Sequence, residues 1–132
     1  PFLQEVLGDF QLVPLAVGDT TPEAVAEVIE TLWGGPETLI VVSSDLSHYL
    51  PYQAAQHIDN QTCAAIARLQ ALDSHEQACG ATPVNGLLLA ARHHHLRPQL
   101  LDLRNSGDTA GDRERVVGYA AFAFTAEPEH AH

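Results

Sequence analysis

The chain has 132 residues, 45% of them apolar, with a formal net charge of -11 and a pI near 4.9. That length and apolar fraction suit one compact globular domain with a real core. The acidic balance leaves no basic patch to neutralise phosphates, which argues against nucleic-acid binding. No apolar run reaches the length of a membrane span and no charged-then-apolar leader is visible, so the expectation is a cytoplasmic protein away from the membrane.

Methionine is absent, and the chain opens Pro1-Phe2-Leu3 inside an amphipathic stretch, which reads as a piece of a longer protein. Residues 11–17 (QLVPLAV) form a short strand candidate, with Pro14 marking an edge or a bulge. Thr20 and Glu23 then stand three apart as in a capping box, and Pro22 suits a first helical turn. Val25, Val28, Ile29 and Leu32 follow at helical spacing as one buried face, and Gly34-Gly35 stops the helix. Residues 38–44 (TLIVVSS) are a continuous, β-branched-rich apolar run, as expected of a strand covered on both faces in a parallel sheet. Strand, helix and strand together make a βαβ unit.

Residues 51–69 read as a long helix with Ala54, Ile58, Ala65, Ile66 and Leu69 inward, and 73–78 as a short one. Thr82-Pro83 opens a further helix, with Val84, Leu87, Leu88 and Ala91 on one face, which runs out at the histidines before Pro98. Residues 99–104 are a strand, 105–115 a polar loop, 116–125 the last strand and 127–132 a frayed tail. Alternating strands and helices give an α/β class, with a central mixed, largely parallel sheet flanked by helices. No internal repeat and no linker divides the chain.

Candidate chemistry gathers at three places. Asp45 and His48 follow the 38–44 run, where ligands bind beyond the carboxyl ends of strands in open α/β sheets. Their three-residue spacing lets both side chains face one point, to hold a metal or to act as base and orienter. The alternative is a cap at Asp45 and an ordinary hydrogen-bonded imidazole at His48. Cys79-Gly80 precedes a helix N-terminus, where the dipole favours a thiolate; the alternative is a small buried hydrophobe. Cys63 lies among helical alanines and reads as core. Two cysteines make no disulfide framework, and both are expected reduced.

The third place is the 105–115 loop, where Asp108 and Asp112 either bind a cation or cap a turn, with Arg113 and Arg115 solvated or paired with them. Tyr49 and Tyr52 flank the first site and either line a pocket or pack. His93-His94-His95 is not expected to bind metal, because three consecutive helical side chains point in different directions. A helix C-terminus suits cationic histidine. His57 and His75 are expected on exposed helix positions.

Three segments, SSDLSHYLPY, ACGATPVNG and RNSGDTAGDRERVVGYAAFAF, in this order and spacing, resemble the Memo family. Members are also described as AmmeMemoRadiSam system protein B, one of a set with an AMMECR1-like protein and a radical SAM protein. The resemblance runs to about Phe124. It implies a fold like that of the class III extradiol dioxygenases (LigB-like), with residues 1–126 the C-terminal part of a single domain and 127–132 a disordered tail. It places the family's cleft Asp, His and Cys on Asp45, His48 and Cys79, as catalytic and metal-binding residues, with Tyr49, Asn105 and Asp108 as further pocket candidates. Two more cleft histidines come from the family's N-terminal part, so an incomplete or empty site is expected in this stretch.

Iron, copper or zinc is the implied ion. A thiolate ligand favours copper(I) or zinc and departs from the iron dioxygenase pattern. Three functions stay open: a metal-dependent redox or dioxygenase-like oxidoreductase, a non-catalytic protein that binds a small molecule or peptide in the same pocket, and Cys-His-Asp hydrolysis. Eukaryotic Memo proteins are described as binding phosphorylated peptides, although the acidic chain makes an anionic ligand less attractive. Missing strands would leave an exposed edge that a second copy could cover.

Overall fold

The computed structural model describes residues 2–35, 38–73, 77–109 and 112–126. In chain order the elements are α1 (Phe2–Leu7), α2 (Pro22–Leu32), β1 (His48–Leu50), α3 (Tyr52–Ala67), α4 (Ala81–His93), β2 (Leu96–Asn105), α5 (Ser106–Thr109) and β3 (Val116–Ala126). The three strands make one sheet in the order β1-β3-β2, and both pairings are antiparallel. The class is mixed α/β, but the sheet is not the largely parallel one expected.

The difference has a physical cause. Residues 11–17 and 38–44 take no strand structure, and many of their side chains face solvent, with Val13 68% and Leu39 65% exposed. A continuous apolar strand is stable when both of its faces are covered. Among the described residues neither segment joins a strand ladder, so the βαβ unit does not form.

In α2, Pro22 occupies the first turn and the cap falls on Thr21, one residue after the expected Thr20. The Thr21 hydroxyl accepts the Ala24 N–H at 3.1 Å. Ile29 is buried, whereas Val28 and Leu32 are exposed. The helix ends before Gly34-Gly35, as expected.

The buried face of α3 is Ala55, Asp59, Thr62, Cys63 and Ile66; of the expected inward residues Ile66 is buried, Ile58, Ala65 and Leu69 are half-buried, and Ala54 is exposed. Asp59 and Thr62 carry polar atoms on that face, so counting apolar residues misplaced it. Leu69 adopts φ 55°, and the Leu69 and Gln70 amides donate back to Ile66 and Ala65 at 2.9 and 2.8 Å, ending the helix. In α4, Leu88, Ala90 and Ala91 are buried and Val84 and Leu87 half-buried.

One core joins these elements: Leu46, Cys63, Ile66, Leu72, Ala78, Ala81 and Leu88, with Leu103, Ala120, Phe122 and Phe124 of the sheet packed against it. Asn85 fixes the connection that leads from α3 into α4. Its amide nitrogen donates to the Leu72 carbonyl at 3.0 Å, and its oxygen accepts the Leu72 N–H at 2.7 Å. The expected 105–115 loop begins instead with the last residue of β2 and the single turn α5. The expected helix at 73–78 falls partly outside the described residues, and His75 and the expected disordered tail at 127–132 lie wholly outside them. Among the described residues no helix is long and apolar enough to cross a membrane.

Candidate metal centre

The segment from Ser44 to His48 is held by backbone on both sides. The Leu46 amide donates to the Gly118 carbonyl at 2.9 Å, and the Gly118 amide donates to the Ser47 carbonyl at 2.9 Å. The Cys79 amide donates to the Asp45 carbonyl at 3.3 Å, which brings the start of α4 beside it. Gly80 then donates its amide to Ser44 Oγ at 2.9 Å. A Cβ on Gly80 would lie 2.8 Å from the Ser44 Cβ, so only glycine allows this approach.

β1 carries a bulge against β3: His48 pairs with Val117 and Leu50 with Val116, leaving Tyr49 as the extra residue at φ 59°. Bulges of this kind re-aim side chains near functional sites. Here His48 turns back toward Asp45, with His48 Nε2 3.3 Å from Asp45 Oδ2. Tyr49 is 70% exposed, with its ring 5.6 Å from the His48 ring.

Asp45, His48 and Cys79 converge: one ligand atom from each lies within 4.8 Å of the others. Bonds of about 2.0–2.3 Å at a tetrahedral ion put neighbouring ligand atoms roughly 3.3–3.8 Å apart. The Asp45–His48 separation already matches, and a small side-chain rotation would bring the widest pair into range. Carboxylate, imidazole and thiol together fit zinc or copper(I) better than a purely hard cation. Stability does not account for the arrangement, since an exposed ion pair contributes about 0–1 kcal/mol. The hydrogen-bond partner of the Cys79 thiol is Ser44 Oγ, at 3.8 Å. The Ser44 hydroxyl in turn donates to the Asp45 carbonyl at 2.8 Å.

An apolar groove of about 920 Å³ is lined by the 38–42 segment, Ser44, the Ala120–Ala126 half of β3 and Trp33; Asp45, His48 and Cys79 are not among its lining residues. Its walls include Val42, Leu46, Leu87, Phe122 and Phe124.

Asn105 and Asp108, expected near the pocket, belong to a separate cluster. Asp108 accepts the Tyr52 hydroxyl, and the Asn105 amide at 2.8 Å. Asn105 accepts the Gly107 amide at 2.9 Å. The Arg113 guanidinium lies 4.1 Å from the centre of the Tyr52 ring. The Tyr52 bond, then the Asn105 amide, hold the Asp108 carboxyl below its ordinary range. The same bond to Asp108 raises Tyr52. Among the described residues, no hydrogen bond joins this cluster to Asp45, His48 or Cys79. Asp112 accepts the Glu114 amide at 2.7 Å, a turn contact.

The histidine run terminates a helix. His94 is the C-cap of α4 and His95 takes φ 54°, the left-handed residue after it. His94 stacks on Trp33 at 3.8 Å and its Nε2 pairs with Glu30 Oε2 at 2.8 Å. His57 is exposed, as expected. Cys63 is core, as expected; burial, with the nearby Asp59 charge adding to it, pushes its thiol up to about 11. The residue that sequence reasoning missed is Asp59, whose carboxylate accepts the Ser47 amide at 3.0 Å in the buried interior. Its signal was present: it lies four residues from both Ala55 and Cys63, on the apolar stripe.

Comparison with known proteins agrees on one family. A family model described as Memo-like protein matches residues 1–123. A MEMO1 family protein of Sulfolobus acidocaldarius is 32% identical over 94% of this chain and 48% of its own length. Another, from Methanosarcina barkeri, is 35% identical over 92% of this chain and 51% of its own. The chain spans about half the length of the curated relatives it matches. With nearly the whole chain matched by the family model, and the SSDLSHYLPY and ACGATPVNG segments meeting at one site, the chain belongs to the Memo-like family.

Proposed function

We propose that Asp45, His48 and Cys79 are this chain's share of a metal centre in a redox or dioxygenase-like enzyme with an extradiol dioxygenase-like fold. The observation that carries this reading is the convergence of carboxylate, imidazole and thiol on one exposed point. A zinc, copper or iron ion held there would supply Lewis-acid or redox chemistry to a substrate beside it. The residues themselves have distinct tasks. Asp45 and His48, 3.3 Å apart, bind and orient, and the same pair can pass a proton. Cys79 offers the soft ligand, steered by the Ser44 hydroxyl. The groove that Ser44 helps to line receives the uncharged, apolar body of a small molecule.

The size and apolar lining of that groove also support a second reading, a binding protein that takes a ligand there without catalysis. The hydrolytic alternative has weaker support, because the thiol's hydrogen-bond partner is a hydroxyl and not an imidazole nitrogen.

Metal content separates the two main readings. The full-length protein, purified without chelator and offered iron, copper and zinc, is compared by mass spectrometry with its Asp45→Ala, His48→Ala and Cys79→Ala versions. Stoichiometric metal in the parent, lost in each variant, is expected. A parent that retains no metal sinks the metal centre and leaves the binding pocket.

A further inference from the structure

Asp59 is an odd residue for its place. It lies in the middle of α3, only 2% exposed, on a face otherwise made of Ala55, Thr62, Cys63 and Ile66. Burying a carboxylate is costly unless it is well bonded, so such a residue needs a reason. A mid-helix position rules out a cap or a favourable dipole interaction. Among the described residues its partner is not a cation but the Ser47 amide, at 3.0 Å.

Ser47 is the residue between Leu46 and His48, and it is wholly buried. Its carbonyl accepts from Gly118 and its amide donates to Asp59, so both of its backbone groups are engaged. Among the described residues its hydroxyl has no hydrogen-bond partner, which marks the backbone as what this position uses. Across the site, Gly118 sits so close to the Asp59 carboxylate that any Cβ there would overlap it. The carboxylate is thus confined between β3 and the Asp45–His48 turn.

We infer that Asp59 is a positioning residue: by accepting the Ser47 amide it fixes the backbone between Asp45 and His48, and so sets the convergence of the three candidate ligands. Among the described residues it makes no hydrogen bond to any of the three. A neutral amide at this position keeps an oxygen for Ser47, whereas alanine leaves the amide buried without a partner and frees the turn. The inference deepens the metal-centre reading and rests on it for its functional meaning, but the geometry is measurable without metal.

The test uses the full-length protein with Asp59→Ala and Asp59→Asn, studied well below each protein's Tm. Two readouts are taken: affinity for cobalt(II) alone, followed by its thiolate absorption band, and, without metal, nuclear Overhauser contacts between the His48 ring and the Cys79 methylene. Asp59→Ala is expected to lose about 10-fold or more in cobalt affinity, together with the contacts. Asp59→Asn is expected to restore both toward the parent. A folded Asp59→Ala that keeps the parent's affinity and contacts overturns the inference. If the parent binds no cobalt, the metal reading fails, and the contacts alone decide: kept in Asp59→Ala they overturn the positioning role, lost they support it. If Asp59→Ala does not fold, Asp59→Asn decides, and loss of the contacts in the folded Asn variant overturns it.

Discussion

Two polar clusters lie on this molecule, and they differ in what their atoms have left to do. Around Tyr52, each polar side chain is engaged: the tyrosine hydroxyl on Asp108, the Asp108 oxygens on the Tyr52 hydroxyl and the Asn105 backbone amide, the Asn105 side-chain oxygen on the Gly107 backbone amide, and Arg113 on the Tyr52 ring. Around Cys79, the carboxylate, imidazole and thiol face a common point with little but one another and a serine for company. The first arrangement fastens the end of β2 and the turn after it to the start of α3. The second has unspent ligand capacity at an exposed place. Saturated polar atoms indicate structure, and convergent unsaturated ones indicate binding.

The largest effect expected from this contrast concerns the two thiols. Cys79 is exposed, while Cys63 is buried with its thiol pushed up to about 11. Iodoacetamide should label Cys79 at least about 100-fold faster than Cys63, which reacts only through opening of the core. Peptide mass spectrometry over a time course measures the ratio, and equal rates would show that the core assignment is wrong.

A smaller effect separates the clusters by substitution. Asp108→Ala should lower the Tm by a few degrees and leave metal retention at the parent level. Loss of metal in that variant would merge the two clusters into one site. Thermal unfolding and metal analysis on the same sample decide it.

The smallest effects are two pH limbs. Asp108 has its folded pKa lowered, chiefly by the Tyr52 bond. Its contribution to stability is therefore full above the unfolded value of about 3.9 and is lost as pH falls through the lower folded value. Tyr52 has its folded pKa raised, chiefly by the same bond. Its contribution is full below about pH 10 and is lost as pH rises through the folded value. Asp108→Asn should flatten the acid limb of a Tm-versus-pH curve, and Tyr52→Phe the alkaline one. Both groups face solvent, so screening keeps the changes modest.

Much of this was legible in the sequence, and the failures share a cause. The existence of α2, α3 and α4 followed from spacing and from Pro22, Gly34 and Pro83, because those signals are local. The candidate triad followed from the motif resemblance, whose first two segments contain the residues that converge. The sheet did not follow. Residues 38–44 have the composition of a buried parallel strand, but strand formation depends on a neighbour, which composition cannot supply. β1 was missed because three residues with an extra one bulged out carry no periodicity. The face of α3 was misplaced because Asp59 is buried by a partner twelve residues away in sequence, a contact that apolar counting treats as solvent-facing.

The central claim is that Asp45, His48 and Cys79 hold one ion together. The most direct measurement is the alkylation rate of Cys79 in the full-length protein, with and without added zinc(II), in the parent and in His48→Ala. The account predicts that zinc slows labelling strongly in the parent and has no effect in His48→Ala. A rate indifferent to zinc in the parent, or equal protection in both proteins, would contradict it.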